Sequence, residues 1–348
     1  MREIKKELVP AATCRDSDVG RTALALYSAA HFWVDFSCAL LIFGRLSGNP
    51  AFGFCALLYN FCAFALQMPL GLLADRLNRN GLAAASGCVL ISAAGFLPQP
   101  EALAVAAGVG NALFHLGGGI DVLNGSTSHA AALGVFVSPG AAGLFLGTLL
   151  GRRAAPPFWL GPLGLLILAG LIAGLFHRPS GNASLSLSGS CGKLVPLFLV
   201  VVLRSYMGMN QSFSWNRAAW TPILILALAL GKTAGGFAMD RLGPRRAADW
   251  SLGAAAVFDL GSALPLPGTA AVFLFNMTMP VTLWAAARRL PGAKGFAFGL
   301  LTFGLFLGFL PSYLGWPKPL SGPGVYAAAS LASLILLRAG LRKEENPC

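Results

Sequence analysis

Apolar runs of roughly 18 or more residues recur along this 348-residue chain, each long enough, at about 1.5 Å per residue, to cross a hydrocarbon core of about 30 Å. That feature removes most folds. A backbone in lipid must satisfy its own hydrogen bonds, which leaves helices and closed barrels. The runs are rich in Leu, Ala and Gly and lack the alternation of a barrel strand. The expected fold is therefore an all-α membrane protein. Composition agrees, with 56% of residues hydrophobic and 11% charged, a balance that would leave a soluble domain with too much apolar surface in water.

The runs fall at 21–44, 51–73, 81–97, 102–122, 128–150 and 157–176, then at 194–214, 219–238, 247–264, 269–287, 295–315 and 322–340. The most polar internal stretch, HRPSGNASLSLSGSCGK at 177–193, separates the sixth run from the seventh and reads as a linker. The expected organisation is twelve transmembrane helices in two six-helix halves. A segment 1–20 precedes a bundle 21–176, and the linker 177–193 leads to a second bundle 194–340 and a tail 341–348.

The net charge of +12 does not point to nucleic acid, because the basic residues are spread thinly between apolar segments. They sort by side instead. With both termini cytoplasmic, 18 of the 25 Lys and Arg residues fall inside; Arg45, Arg152, Arg153, Arg217 and Lys318 fall outside, and Arg204 and Lys232 lie within helices. Cytoplasmic loops carry such an excess, and an odd number of helices would destroy it. The expected location is multi-pass in the inner (plasma) membrane, with the lipid bilayer as surroundings and the protein a monomer. The polar N-terminus is followed by no short hydrophobic core with a small-residue cleavage site, so no removable signal peptide is expected. The seven cysteines (Cys14, Cys38, Cys55, Cys62, Cys88, Cys191 and Cys348) have no metal-ligand spacing and read as small apolar fillers, with no disulfide framework.

An internal repeat organises the chain further. GLLADRL at 71–77 returns as GFAMDRL at 236–242, with Asp75 and Asp240 separated by 165 residues, the offset a six-helix duplication predicts. Gly71 and Gly236 permit close helix contact, while Asp75 and Asp240 sit where a carboxylate can accept bonds from a facing helix N-terminus or an Arg. With Arg76 and Arg241 they are the expected gating residues. These two segments resemble the signature loop of the major facilitator superfamily, between its second and third helices, and its echo between the eighth and ninth. GVFVSPGAAG at 134–143 resembles that family's Gly/Pro-rich antiporter motif, with Ser138 where the family usually has Gly. Pro139 removes a helix hydrogen bond and Gly140 and Gly143 thin the helix, so a bend or close packing is expected there. HFWVD at 31–35, GNALFH at 110–115 and LRSY at 203–206 resemble motifs of the fosmidomycin-resistance-like group, with Leu116 where that group has Pro. The resemblance implies halves that rock about a site near the midplane.

Ionisable side chains at bilayer depth are costly and usually face a cavity. His31 and Asp35 are four apart on one face of the first helix, and an imidazole that titrates near neutrality beside a carboxylate can exchange a proton. Arg204 lies midway along the seventh helix, where it can pair with Asp35 or receive an anion through its planar fork. Tyr206, Asn210 and Gln211 follow it, and His115 shares a face with Asn111 on the fourth helix. Lys232, Asp121 and Asp259 are second-rank candidates, and Asn60 and Asn276 read as interhelical hydrogen bonds. No nucleotide-binding loop, Ser/His/Asp elbow or His-Glu-x-x-His is present, so ATP-driven transport and intramembrane enzymology lack their residues and no cofactor is expected. With the resemblance, these residues imply a proton-coupled secondary transporter, an exporter by antiport of a small molecule or drug that is anionic where Arg204 binds it. A divalent metal-ion or organic-cation transporter using Asp35, His31 and His115 is the alternative.

Overall fold

The computed structural model describes residues 14–126, 128–153, 157–176, 186, 191–217, 219–316 and 321–342, and every regular element among them is a helix. Among the described residues twelve helical segments run in chain order: α1 (Gly20–Leu46), α2 (Phe52–Leu77), α3 (Asn80–Ala94), α4 (Pro100–Gly125), α5 (Ala131–Gly151), α6 (Leu160–Leu175), α7 (Gly192–Asn210), α8 (Trp220–Leu242), α9 (Pro244–Leu260), α10 (Pro265–Arg289), α11 (Lys294–Tyr313) and α12 (Pro323–Gly340). Nine are long and apolar enough to cross a membrane. The other three, α3, α6 and α9, have 15, 16 and 17 residues. The expected spans 81–97 and 247–264 overran α3 and α9, which stop before Gly95 and Gly261 with a Pro a few residues on. The linker expected at 177–193 lies outside the described residues except for 186 and 191–193, as do most of segment 1–20 and the tail after 342.

Local sequence sets these boundaries. Pro opens α4, α9, α10 and α12, where its missing N–H costs nothing and its fixed φ is already helical. The turns α2–α3 and α8–α9 both need a left-handed residue, supplied by Asn78 at φ 49° and Gly243 at φ 80°, again 165 residues apart. The repeat extends to the positive φ but not to ψ, which is 42° at Asn78 and 159° at Gly243.

Packing follows the same symmetry. α1 lies against α5, and α3 against α6; in the second half α7 lies against α11, and α9 against α12. Across the halves the extensive contacts are α2 with α11 and α8 with α5, which a shift of six helices interchanges. The interior mixes small side chains such as Ala30, Ala84, Cys88, Ala104 and Ala107, which let helices approach, with large ones such as Tyr27, Phe114 and Phe136, while Phe96, Trp250, Leu266 and Ile335 are exposed. So much outward apolar surface on long apolar helices makes the chain a multi-pass membrane protein.

Candidate functional site

The site begins with an interrupted helix. α5 is two helices, Ala131–Val137 and Pro139–Gly151, broken at Ser138. The last carbonyls of a helix have no partner of their own, and here side chains take them. Ser138 Oγ donates to Gly134 O at 2.7 Å, His31 Nδ1 lies 2.8 Å from Phe136 O, and Lys232 Nζ donates to Val137 O at 3.3 Å. Pro139, with no N–H to offer, supplies the break.

The break is held against α1 by glycine. A Cβ on Gly140 would overlap Asp35 and His31, and one on Gly143 would overlap the Phe32 carbonyl. These two glycines bring α5 close enough for a backbone carbonyl to reach an imidazole on α1.

His31 then meets His115. Their Nε2 atoms are 2.9 Å apart, and His115 Nδ1 lies 2.9 Å from Asn111 O. Asp35 Oδ2 is 3.4 Å from His31 Nε2, Asp35 Oδ1 is 3.7 Å from His115 Nε2, and Asn111 Nδ2 donates to Oδ1 at 3.2 Å. His31, Asp35, His115 and Asn111 therefore form one cluster joining α1 and α4. Because a carbonyl oxygen only accepts, both Nδ1 atoms carry their hydrogens, and two lone pairs would face each other between the Nε2 atoms. A bond at that distance needs one further proton there. The two rings and the carboxylate make one contiguous polar unit. Asp35 is its most accessible member, with 20% of its side chain exposed against 8% for His31 and 11% for His115.

Arg204 is elsewhere. Its guanidinium donates to Thr278 Oγ1 at 2.7 Å and Thr282 Oγ1 at 3.2 Å, and its Nε has no partner. Of the two roles open to Arg204, the pairing with Asp35 is not made here: two hydroxyls of α10 reach it instead, beside the break between Pro265–Asn276 and Thr278–Arg289. Lys232 is near enough to both Asp35 and Arg204 for the charges to act on one another.

The other expected residues disperse. Asn210 Nδ2 donates to Tyr206 O within its own helix, and Gln211 lines a different pocket with Asp259. Asp121 accepts from Tyr27 and Asn80 at 2.6 and 2.8 Å, tying α4 to α1 and α3. Asn60 does bond across helices, to the Tyr313 hydroxyl, but Asn276 bonds back to Val272 O in its own helix.

The repeated carboxylates form matching latches. Asp75 accepts from the backbone N–H of Gly295 and Phe296 at 2.7 and 2.9 Å, and Asp240 accepts from Ala130 and Ala131 at 2.6 and 3.0 Å. Each caps the N-terminus of a helix in the opposite half, where orphan donors and the helix dipole favour an anion. Gly71 and Gly236 allow the approach, since a Cβ on either would strike the Gly295 or the Ala130 carbonyl. Arg76 and Arg241, expected as gating partners, are exposed and make none of these contacts.

Several participants were not singled out from sequence. Thr278 and Thr282 carry a usable signal, two hydroxyls at i, i+4 facing a helix that bears a buried Arg. The Phe136 carbonyl carries none beyond Pro139. Lys294 adds another tie between halves, donating to Asn124 Oδ1 at 2.9 Å, and His129 lies 3.8 Å from Asp240.

No protein-family model and no curated protein matches this sequence. Solved structures do. The chain superposes on the E. coli fucose:proton symporter FucP with a TM-score of 0.65 at 13% identity, covering 93% of this chain and 100% of that one. FucP in the outward conformation gives the same score at 12% identity, with the same coverage. The human organic anion transporter MFSD10 gives 0.66 at 15% identity, covering 91% of this chain and 99% of that one. The chain has the fold of the major facilitator superfamily.

Proposed function

We propose that this protein is a proton-coupled secondary transporter that exports a small anionic molecule by alternating access, with its termini and the Asp75 and Asp240 latches on the cytoplasmic side. One observation carries the reading: two imidazoles joined through their Nε2 atoms beside Asp35 while both Nδ1 atoms are committed to carbonyls. Such a cluster holds one exchangeable proton, and its link to the α5 break couples that proton to a helix facing the other half. Arg204 supplies the substrate group, a buried planar cation with a free donor, suited to a carboxylate or phosphate. The structural neighbours include a proton symporter and an organic anion transporter; the direction of export rests on the α5 motif alone.

Reconstituted protein should accumulate substrate in response to an imposed pH gradient. Asp35→Asn should abolish that dependence while leaving exchange of substrate down its own gradient. Full pH coupling in Asp35→Asn would reject the assignment.

The donor geometry favours one second reading, a divalent metal ion as substrate. Ligating imidazoles commonly donate their other N–H to a carbonyl, and one donor from each of His31, Asp35 and His115 lies within 4.8 Å of the others. Ligands about 2.0–2.1 Å from a tetrahedral ion stand roughly 3.3 Å apart. The neighbouring Lys232 charge weighs against a dication. Calorimetric titration with Zn²⁺, Co²⁺ and Mn²⁺ separates the readings, because a strong saturable heat lost in His115→Ala would displace the proton-anion assignment.

A further inference from the structure

The two latches share a plan and differ in the base that attends it. Asp240 accepts from Ala130 and Ala131, and Asp75 from Gly295 and Phe296, donor pairs 165 residues apart. The residue just before each pair is basic at the same offset, His129 in one latch and Lys294 in the other. His129 Nδ1 lies 3.8 Å from Asp240 Oδ2, and the Lys294 ammonium, bonded to Asn124, acts on Asp75. Each latch thus joins a carboxylate of one half to two backbone donors and a base of the other.

The two bases keep their charge over different ranges. Lysine ordinarily holds its proton to about pH 10, whereas histidine changes charge between about pH 5 and 8. The His129 ring can follow the surrounding solution, since its side chain is 74% exposed and precedes Ala130, the N-cap of α5. Asp240 on α8 is the carboxylate facing it. Of the other charged groups at this end, Arg21 on α1 and Arg241 on α8 are exposed, Arg288 on α10 lies over the Trp284 ring, and Asp121 on α4 is held by Tyr27 and Asn80. None of these four pairs with His129 among the described residues. A neutral His129 leaves Asp240 with its backbone donors, and a protonated one adds a counter-charge that exists only while the latch is made. A charge interaction present in the latched state and absent from the open one favours the latched state. Acid therefore tightens this latch, and the gain is lost as pH rises through the imidazole range.

We infer that His129 is a regulatory proton site: a proton taken up there from the solution holds this end of the protein shut, and its release eases opening. The inference rests on the latches parting during transport, not on Asp35 carrying the coupled proton. With this end cytoplasmic and protons entering as the anion leaves, acidification of the cytoplasm slows the cycle that causes it.

An exposed ion pair is worth little, so the expected change in the latched-to-open ratio is about two- to fivefold. Hydrogen exchange of the Ala131 amide in the full-length detergent-solubilised protein reads that ratio, because the amide is bonded to Asp240 and its flanking residues are untouched by substitution of His129. Exchange in the wild type should be about two- to fivefold slower than in His129→Gln at about pH 5.5 and equal to it at about pH 8.5. His129→Lys should exchange more slowly than His129→Gln at both values. The difference between wild type and His129→Gln should vanish in Asp240→Asn and persist in Asp35→Asn, so failure of the proton-coupling assignment is read separately. Equal exchange in wild type and His129→Gln at the acid value, equal slowing at both values, or a difference that survives Asp240→Asn would overturn the inference.

Discussion

Arg204 is held by two threonine hydroxyls rather than a carboxylate, and that difference separates a functional role from a structural one. A buried cation with no anion keeps most of its desolvation penalty, and replacing such a group with an apolar side chain of similar length is often neutral or stabilising. Thr278 and Thr282 do not depend on it, because each hydroxyl also donates to a carbonyl of its own helix. Arg204→Met should therefore keep or raise the melting temperature in detergent while abolishing transport of an anionic substrate. Arg204→Lys should retain partial activity with a raised KM, since a point charge cannot reproduce the fork. A large loss of stability in Arg204→Met would instead mark the residue as structural. Sequence made Arg204, His31, Asp35 and His115 conspicuous as costly groups in apolar helices. Beyond His31 with Asp35, four apart on one helix, it could not pair them, because which charges meet across helices depends on rotation and crossing, neither of which periodicity encodes. His115 joined the cluster and Arg204 did not, although both lay near the middle of their helices.

At the scale of the element, α5 does the assembling. Its break frees carbonyls for His31 and Lys232, and its glycines set the distance to α1. Pro139→Ala restores a missing backbone donor and should strengthen the helix. The variant is expected to melt higher and to transport more slowly, as His31 loses its carbonyl to a straighter helix. Gly143→Ala acts oppositely: its Cβ must displace the Phe32 backbone, an overpacking cost of about 1–3 kcal/mol, read as a fall in melting temperature with expression of the folded protein reduced. Ser138 shows where motif reading stopped short. As a departure from the glycine of the family motif it had no assigned role, yet its hydroxyl lies 2.6 Å from Thr233 Oγ1 and 2.8 Å from Ala229 O on α8. Such a bond between halves is invisible until the two helices are seen to cross.

For the whole molecule, the symmetric latches join the two halves at one end of the bundle. The twelve segments and the six-helix offset were legible because hydropathy and the Gly-x-x-x-Asp-Arg-Leu repeat are both linear patterns. The partners of the two carboxylates, helix N-termini 220 and 110 residues away, were legible only as a chemical class. Each latch carries two bonds to a charged acceptor, of order 1.5–3 kcal/mol apiece in a shielded setting, and both must break before this end of the bundle can open. Asp75→Asn and Asp240→Asn should each shift the population toward the state open at that end. The double variant should shift it further, by more than ~100-fold, given that each 1.4 kcal/mol is tenfold. Spin labels on cysteines introduced into the α2–α3 and α10–α11 turns would report the shift as a longer distance in electron–electron double resonance. Because the latches join the same two halves, their effects should couple rather than add, with a double-mutant cycle returning an interaction energy beyond the roughly 0.5 kcal/mol expected of independent sites. Strict additivity would mean that the two latches open separately, and a rigid-body rocking of six-helix halves would then be the wrong description of this protein.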